Sequence, residues 1–228
     1  MDRLLQSIKI GVNDKIYVKD PESSSLGKRI VEESINMIHE MGFDKFTFKK
    51  LGDRIGSNES SVYRYFESKH KLLLYLASWY WGWLEYQLVF ATNSIADPRE
   101  KLNRAIEIFT QTIEEDSSFS HINEVLLNKI VIDEYSKSYL TKEVDQENKE
   151  GYFEIYKRLV SRLSEMISNV DQNYSYPSSL ASTVLDGSLH QHFLLDHFSS
   201  LTDCQRHTDP TAYFKNLVFN CLNLPNHV

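Results

Sequence analysis

The chain has 228 residues, 41% of them hydrophobic, enough to bury a sizeable core without disulfide or metal staples. Its formal net charge of -7 excludes a protein whose whole surface is a basic nucleic-acid binder. No window approaches the roughly 20 apolar residues that span a bilayer, and the start has no signal-peptide core, so a soluble, cytoplasmic protein is expected. Cys204 and Cys221 form neither a metal-ligand spacing nor a disulfide framework; they read as buried, reduced thiols, and no cofactor is implied.

In chain order, residues 1–25 form an arm or linker. It contains the polar run Asp20-Pro21-Glu22-Ser23-Ser24-Ser25 and two apolar pieces, Ile8-Lys9-Ile10 and Ile16-Tyr17-Val18, that are expected to dock. Strand signals are sparse and apolar residues recur at spacings of three and four, so the fold is read as all-α. A helix is predicted from Leu26 to Met41, with Ile30, Val31, Ile35, Ile38 and Met41 as its buried stripe and Gly42 as its stop. A short helix follows, capped by Thr47 and ended near Gly56; Asn58 caps a third, running to Phe66. Ser68 caps a fourth that continues through an aromatic segment toward Phe90, and Asp97-Pro98 opens a fifth. Further amphipathic stretches cover Phe119 to Ile132, Asn148 to Ile167, Ser178 to Ser199 and Asp209 to Leu222. The charged run Lys142 to Glu150 reads as a solvated helix face or loop.

The average charge hides an asymmetry. Between Lys45 and Lys71 seven basic residues stand against three acidic ones, a local +4 that leaves -11 for the rest of the chain. Basic character at one end of an acidic body suits DNA binding by that end alone. The same window holds two short helices joined by Ile55-Gly56-Ser57-Asn58, the layout of a helix-turn-helix. On a helical wheel Val62 and Phe66 point inward and Ser60 and Arg64 outward, flanked by Ser61, Tyr63 and Tyr65. Small residues there permit close approach to base edges, and Arg64 can make a bidentate contact with guanine or phosphate. Thr47, Tyr63 and Tyr65 offer hydroxyls to phosphates, Lys69 an ammonium in the first turn after Ser68, and Glu59 a negative charge near DNA. The competing reading makes Tyr63, Tyr65 and Phe66 core aromatics, and for Phe66 it is the reading adopted.

Gly42-Phe43, Thr47-Phe48-Lys49-Lys50-Leu51-Gly52, Gly56-Ser57-Asn58-Glu59-Ser60-Ser61-Val62-Tyr63-Arg64-Tyr65-Phe66 and Ser68-Lys69-His70-Lys71-Leu72-Leu73 together resemble the DNA-binding signature of the TetR family. The resemblance covers about Leu26 to Leu74. It departs at Gly52, where the family usually has alanine, at Ser57, where it has valine, and at Asn58, where it has serine or threonine. It implies an N-terminal three-helix helix-turn-helix DNA-binding domain (26–74) and a C-terminal helical ligand-binding and dimerisation domain (75–228). By it, Thr47 and Lys69 would contact phosphates, and Ser60, Ser61, Tyr63, Arg64 and Tyr65 would form the reading surface. The implied partners are double-stranded DNA with a palindromic operator, a second copy of the chain, and an apolar or aromatic small molecule.

In the body, the two C-terminal helices carry apolar stripes that would form a four-helix dimer interface through Val184, Phe193, Phe214, Leu217, Val218 and Cys221, or else an intrachain core. Tyr75, Trp79, Trp83, Tyr86 and Phe90 recur at helical spacing; they form core or line a ligand cavity, for which Trp79, Trp83, Tyr86 and His190 are the candidates. His190, His192 and His197 with Asp186 and Asp196 tempt toward a metal, but the pairs Asp186/His190 and His192/Asp196 point in different directions, and no metal site is assigned. No phosphate-cradling glycine loop, nucleophile elbow or zinc-protease spacing supports an enzyme. The alternative to a ligand-released repressor is a helical protein-interaction regulator without a small-molecule inducer.

Overall fold

Ser24 accepts a hydrogen bond from the Gly27 N–H and so starts the first long helix, α1 (Ser25–Met41); Gly42, at φ 78°, returns its N–H to the Ile38 carbonyl and ends it. The computed structural model describes residues 10–113, 121–204 and 210–223, which are helical with no strand among them. The described residues fall into two compact units, one within Met1–Gly82 and Ile113–Glu154, the other within Trp83–Thr112 and Ile155–Val228.

In the first unit α1 buries Ile30, Val31, Ile35 and Ile38, each contributing about 1.5–3 kcal/mol. Against it lie α2 (Phe48–Arg54) and α6 (Glu124–Glu134). α2 packs in turn on α3 (Glu59–Tyr63), and α4 (Lys69–Thr92) contributes its first part. Two short helices, α7 (Ser136–Tyr139) and α8 (Val144–Lys149), complete the unit. α8 lies in the charged run expected to be solvated. Its surface largely is, but Glu147 turns inward to His70 Nε2 at 2.8 Å. The next helix starts later than its apolar period suggests because Gly151, at φ 84°, turns the chain before Glu154.

The arm docks on this unit. Ile16 is buried, Tyr17 sets its ring edge against Tyr75, Asn13 donates to the Glu150 carbonyl, and Glu22 meets His121 at 2.6 Å. Ile8 and Lys9 lie outside the described residues. A turn at Pro21–Ser23 crosses α1 where it has no side chain: a Cβ on Gly27 would stand 2.7 Å from the Pro21 Cα.

The second unit holds the remainder of α4 with α5 (Pro98–Thr110), α9 (Glu154–Val170), α10 (Pro177–His197) and α11 (Pro210–Cys221). α5, α10 and α11 pack on one another around Ile106, Phe109, Leu180, Val184, Phe214 and Val218. Phe119 and Asp209, expected near helix starts, lie outside the described residues. Two ion clusters tie its helices. Arg158 and Arg162 both bond Glu85, and Lys215 and Arg104 both bond Glu107. Burial alone would raise both carboxyls, but these cations outweigh it and hold each below the usual carboxylate range. Cys204 and Cys221, expected to be buried, are half-exposed free thiols, because each stands at or beyond the end of a helix rather than on its inner face.

Alanine at position 27 gains about 1 kcal/mol of helix propensity, yet must push backbone atoms aside. Overpacking of this kind costs about 1–3 kcal/mol, and because the obstacle is main chain the higher end applies. Gly27→Ala is therefore expected to destabilise the protein by about 1–2 kcal/mol and to release the arm, read as a lower urea midpoint with earlier proteolysis near Lys19. Unchanged stability with a protected arm would contradict the close approach.

Candidate nucleic-acid interface

The turn between α2 and α3 is set by two glycines. Gly56 adopts φ 63°, and Gly52 lets the helices close in: a Cβ there would stand 3.0 Å from Asn58 C and Glu59 N. Gly52 also accepts the Ser57 N–H through its carbonyl at 2.9 Å. Asn58 then caps α3 through its Oδ1, which accepts from both the backbone N–H and the hydroxyl of Ser61 at 2.9 Å.

α3 buries Val62 and Ser61 and turns Ser60 outward, with Arg64 exposed immediately after it. Ser61 passes the network on, because its Oγ accepts from Arg64 Nη2 at 3.0 Å. Asn58, Ser61 and Arg64 thus form one hydrogen-bonded chain along the helix. Tyr63, 48% exposed, stands edge-on to the buried Phe48 at 5.0 Å, which fixes its ring while leaving the phenol accessible. Thr47 is exposed and caps α2.

Three expected surface residues are placed differently. Ser61 is 5% exposed, because its hydroxyl turns back to the Asn58 cap. Tyr65 is 3% exposed: its hydroxyl bonds Ser24 Oγ at 2.8 Å, its carbonyl accepts the Val18 N–H at 2.8 Å, and Lys19 lies over its ring. The wheel placed it outward because the wheel assumes a helix to Phe66, and α3 stops at Tyr63. Lys69 donates to the carbonyls of Phe43 at 3.0 Å and Asp44 at 3.3 Å and sits over the Phe43 ring, so its ammonium braces the turn after α1. Opposite that turn Glu134 accepts the Phe43 N–H at 3.1 Å. This bond joins residues 91 apart in sequence, and no local signal announces it.

Among the remaining cations, Arg54 is paired with Glu33 and Glu40, which raise its pKa, whereas Lys45 and Lys49 are exposed. Glu59, in the first turn of α3, is half-exposed.

Of the pocket candidates, Trp79 lies in the first unit and Trp83, Tyr86 and His190 in the second. Trp79 and Trp83 are each 1% exposed, Tyr86 is half-buried and stacks on Phe90, and His190 is exposed beside Phe193. The second unit has a hollow of about 450 Å³ bounded by Ile95, Pro98, Lys101, Arg162 and Met166, which the sequence pattern does not reveal because its walls come from a turn and two distant helices. Of the dimer candidates, Val184, Phe214 and Val218 are buried within the chain's own second unit, while Phe193, Leu217 and Cys221 are half-buried. No group of three or more metal-ligating side chains gathers among the described residues, and no helix there is long and apolar enough to cross a membrane.

Residues 30–76 match the bacterial regulatory proteins of the tetR family. No curated protein sequence matches the chain. Solved structures share its fold. AibR, crystallised with isovaleryl coenzyme A and operator DNA, is 16% identical, with 85% of this chain and 97% of that one covered and a TM-score of 0.57. A putative transcriptional regulator from Saccharomonospora viridis in complex with choline is 18% identical over 88% and 97% of the two chains, at 0.58. The TetR family regulator PfmR from Thermus thermophilus is 17% identical over 87% and 100%, at 0.56. With the capped helix-turn-helix in place, residues 30–76 are a tetR-family DNA-binding domain, set in a chain that shares the all-helical fold of these solved regulators.

Proposed function

We propose that this regulator is a homodimeric repressor that holds a palindromic operator and releases it when a small molecule occupies the helical body. The observation that carries the reading is the outward face formed by Asn58, Ser60, Tyr63 and Arg64, with Arg64 held in place by Ser61. Pre-ordering a guanidinium lowers the entropy lost when it meets a base edge. In this reading Ser60 and Arg64 approach bases, Thr47 and Tyr63 meet phosphates, and Asn58 and Glu59 flank them. Ser61, Tyr65 and Lys69 act from behind by fixing the helix.

A reader with one short helix needs a second copy about one DNA turn away. The surface available for pairing lies where α10 ends and α11 begins: Phe198 is 52% exposed, Leu201 68% and Tyr213 47%, with half-buried Phe193 against Phe198. An apolar cluster of this kind is costly to leave in water. For the ligand, support comes from the structural relatives crystallised with isovaleryl coenzyme A and with choline and from the hollow near Lys101 and Arg162 in the second unit.

The test begins with DNA selected from a random pool by the full chain. A palindrome is expected, and Arg64→Ala should weaken binding to it by about 1–3 kcal/mol and relax preference at one position per half-site; equal affinity would remove Arg64 from the reading surface. Sedimentation should give a dimer, and Phe198→Asp with Tyr213→Asp a monomer of wild-type helicity that binds the palindrome at least about 30-fold more weakly. A dimer surviving both changes would place the interface elsewhere. Finally, a compound that raises thermal stability should lower operator affinity. A screen of small acids, amines and acyl thioesters that never separates protein from DNA would remove the ligand and favour a regulator controlled by a protein partner.

A further inference from the structure

We infer that the N-terminal arm is part of the DNA-binding surface, with Lys19 as a phosphate contact at the end of the reading helix. This rests on the DNA-reading role proposed above and extends it to a segment to which neither the helix-turn-helix signature nor the family match at residues 30–76 assigns a task.

The arm is attached to the reading helix itself. The Val18 N–H donates to the Tyr65 carbonyl at 2.8 Å, and the Tyr65 hydroxyl bonds Ser24 Oγ at 2.8 Å, so the chain on either side of Lys19 is anchored to the residue that follows Arg64. Lys19 is exposed, with Nζ 5.2 Å from the centre of the Tyr65 ring, and it forms no ion pair among the described residues. The buried Ile16 and the Tyr17–Tyr75 contact keep the approach to Lys19 fixed from the other side.

Dimensions then place the charge. α3 has five residues and so is about 7.5 Å long, whereas the major groove is about 12 Å wide and walled by phosphates. With Ser60 and Arg64 on the groove floor, a cation tethered just past the helix end stands at the wall. Lysines that serve the fold differ from it: Lys69 is held by backbone carbonyls and Lys71 by Tyr152. Lys19 touches only a ring face, an arrangement that leaves its N–H donors available to a phosphate.

The test uses the full chain, a duplex carrying the selected palindrome, and affinity measured over a series of salt concentrations. Lys19→Ala should weaken binding about three- to tenfold at low salt and make the slope of log K against log salt shallower by about one for each phosphate no longer neutralised, two for a symmetric dimer. Thermal unfolding should be nearly unchanged, and Lys19→Arg should restore both affinity and slope. An unaltered slope in Lys19→Ala, while Arg64→Ala still binds more weakly than the wild type, would overturn the inference and leave the reading helix standing. Absence of salt-sensitive, sequence-selective binding in the wild type and in Arg64→Ala alike would overturn both.

Discussion

A helix of five residues cannot hold itself together in water, because nucleation fixes several backbone dihedrals before hydrogen bonds repay them. α3 is such a helix, and it carries the residues on which DNA recognition is proposed to depend. Its stability must therefore come from outside. The first unit supplies it from several directions: Gly52 lets α2 approach the opening of α3, Asn58 satisfies the Ser61 amide of its first turn, and Phe48 braces Tyr63. The arm holds the Tyr65 carbonyl at the far end. The supports come from α2, from the residue that opens α3 and from the arm.

The same economy explains the charge distribution. Four of the seven cations between Lys45 and Lys71 have tasks within the protein: Lys50 bonds the Lys45 carbonyl, Arg54 pairs with Glu33 and Glu40, Lys69 braces the turn after α1, and Lys71 meets Tyr152. A count of charges in that window overstates what remains for DNA. The turn after α1 is held from two sides, by Lys69 through its carbonyls and by Glu134 through the Phe43 N–H; Lys137 joins Glu134 at 2.7 Å and Asp44 at 3.0 Å. A carboxylate this enclosed is costly unless it is paired, and here an amide bonds one oxygen while the Lys137 ammonium faces the other as an ion pair.

Much of this was legible in the sequence because it is local. Thr47, Asn58, Ser68 and Asp97 all cap the helices that follow them, and Gly42 and Gly56 take the left-handed backbone their positions require. Inward Val62 and outward Arg64 follow from a period of about 3.6 residues. Tyr65 did not, because a wheel continues past the point where the helix ends. The remaining surprises are contacts at long range. Asn13 meets the Glu150 carbonyl across 137 residues, and Glu147 turns out of a charged run to find His70 77 residues away. Neither partner has a pattern around it that names the other.

The aromatic segment of α4 shows why a cavity is harder to read than a helix. Tyr75, Trp79 and Trp83 fall on one side at helical spacing, which suggests one special face, but Tyr80, Trp81, Leu76 and Leu84 on other sides are buried as well. A helix that is apolar all round is enclosed all round, so periodicity loses its power to separate a wall that packs from a wall that lines a space. Amphipathic α1 and α5 reveal their inner faces in sequence, and α4 cannot. In α10 and α11 the difficulty has another form. Val184, Phe214 and Val218 share their stripes with Phe193 and Leu217, yet the first three are buried within the chain and the last two are only half-covered. A stripe wide enough to serve both a core and a partner looks the same in sequence as one that serves the core alone, and only the packing of α5 against both helices divides it.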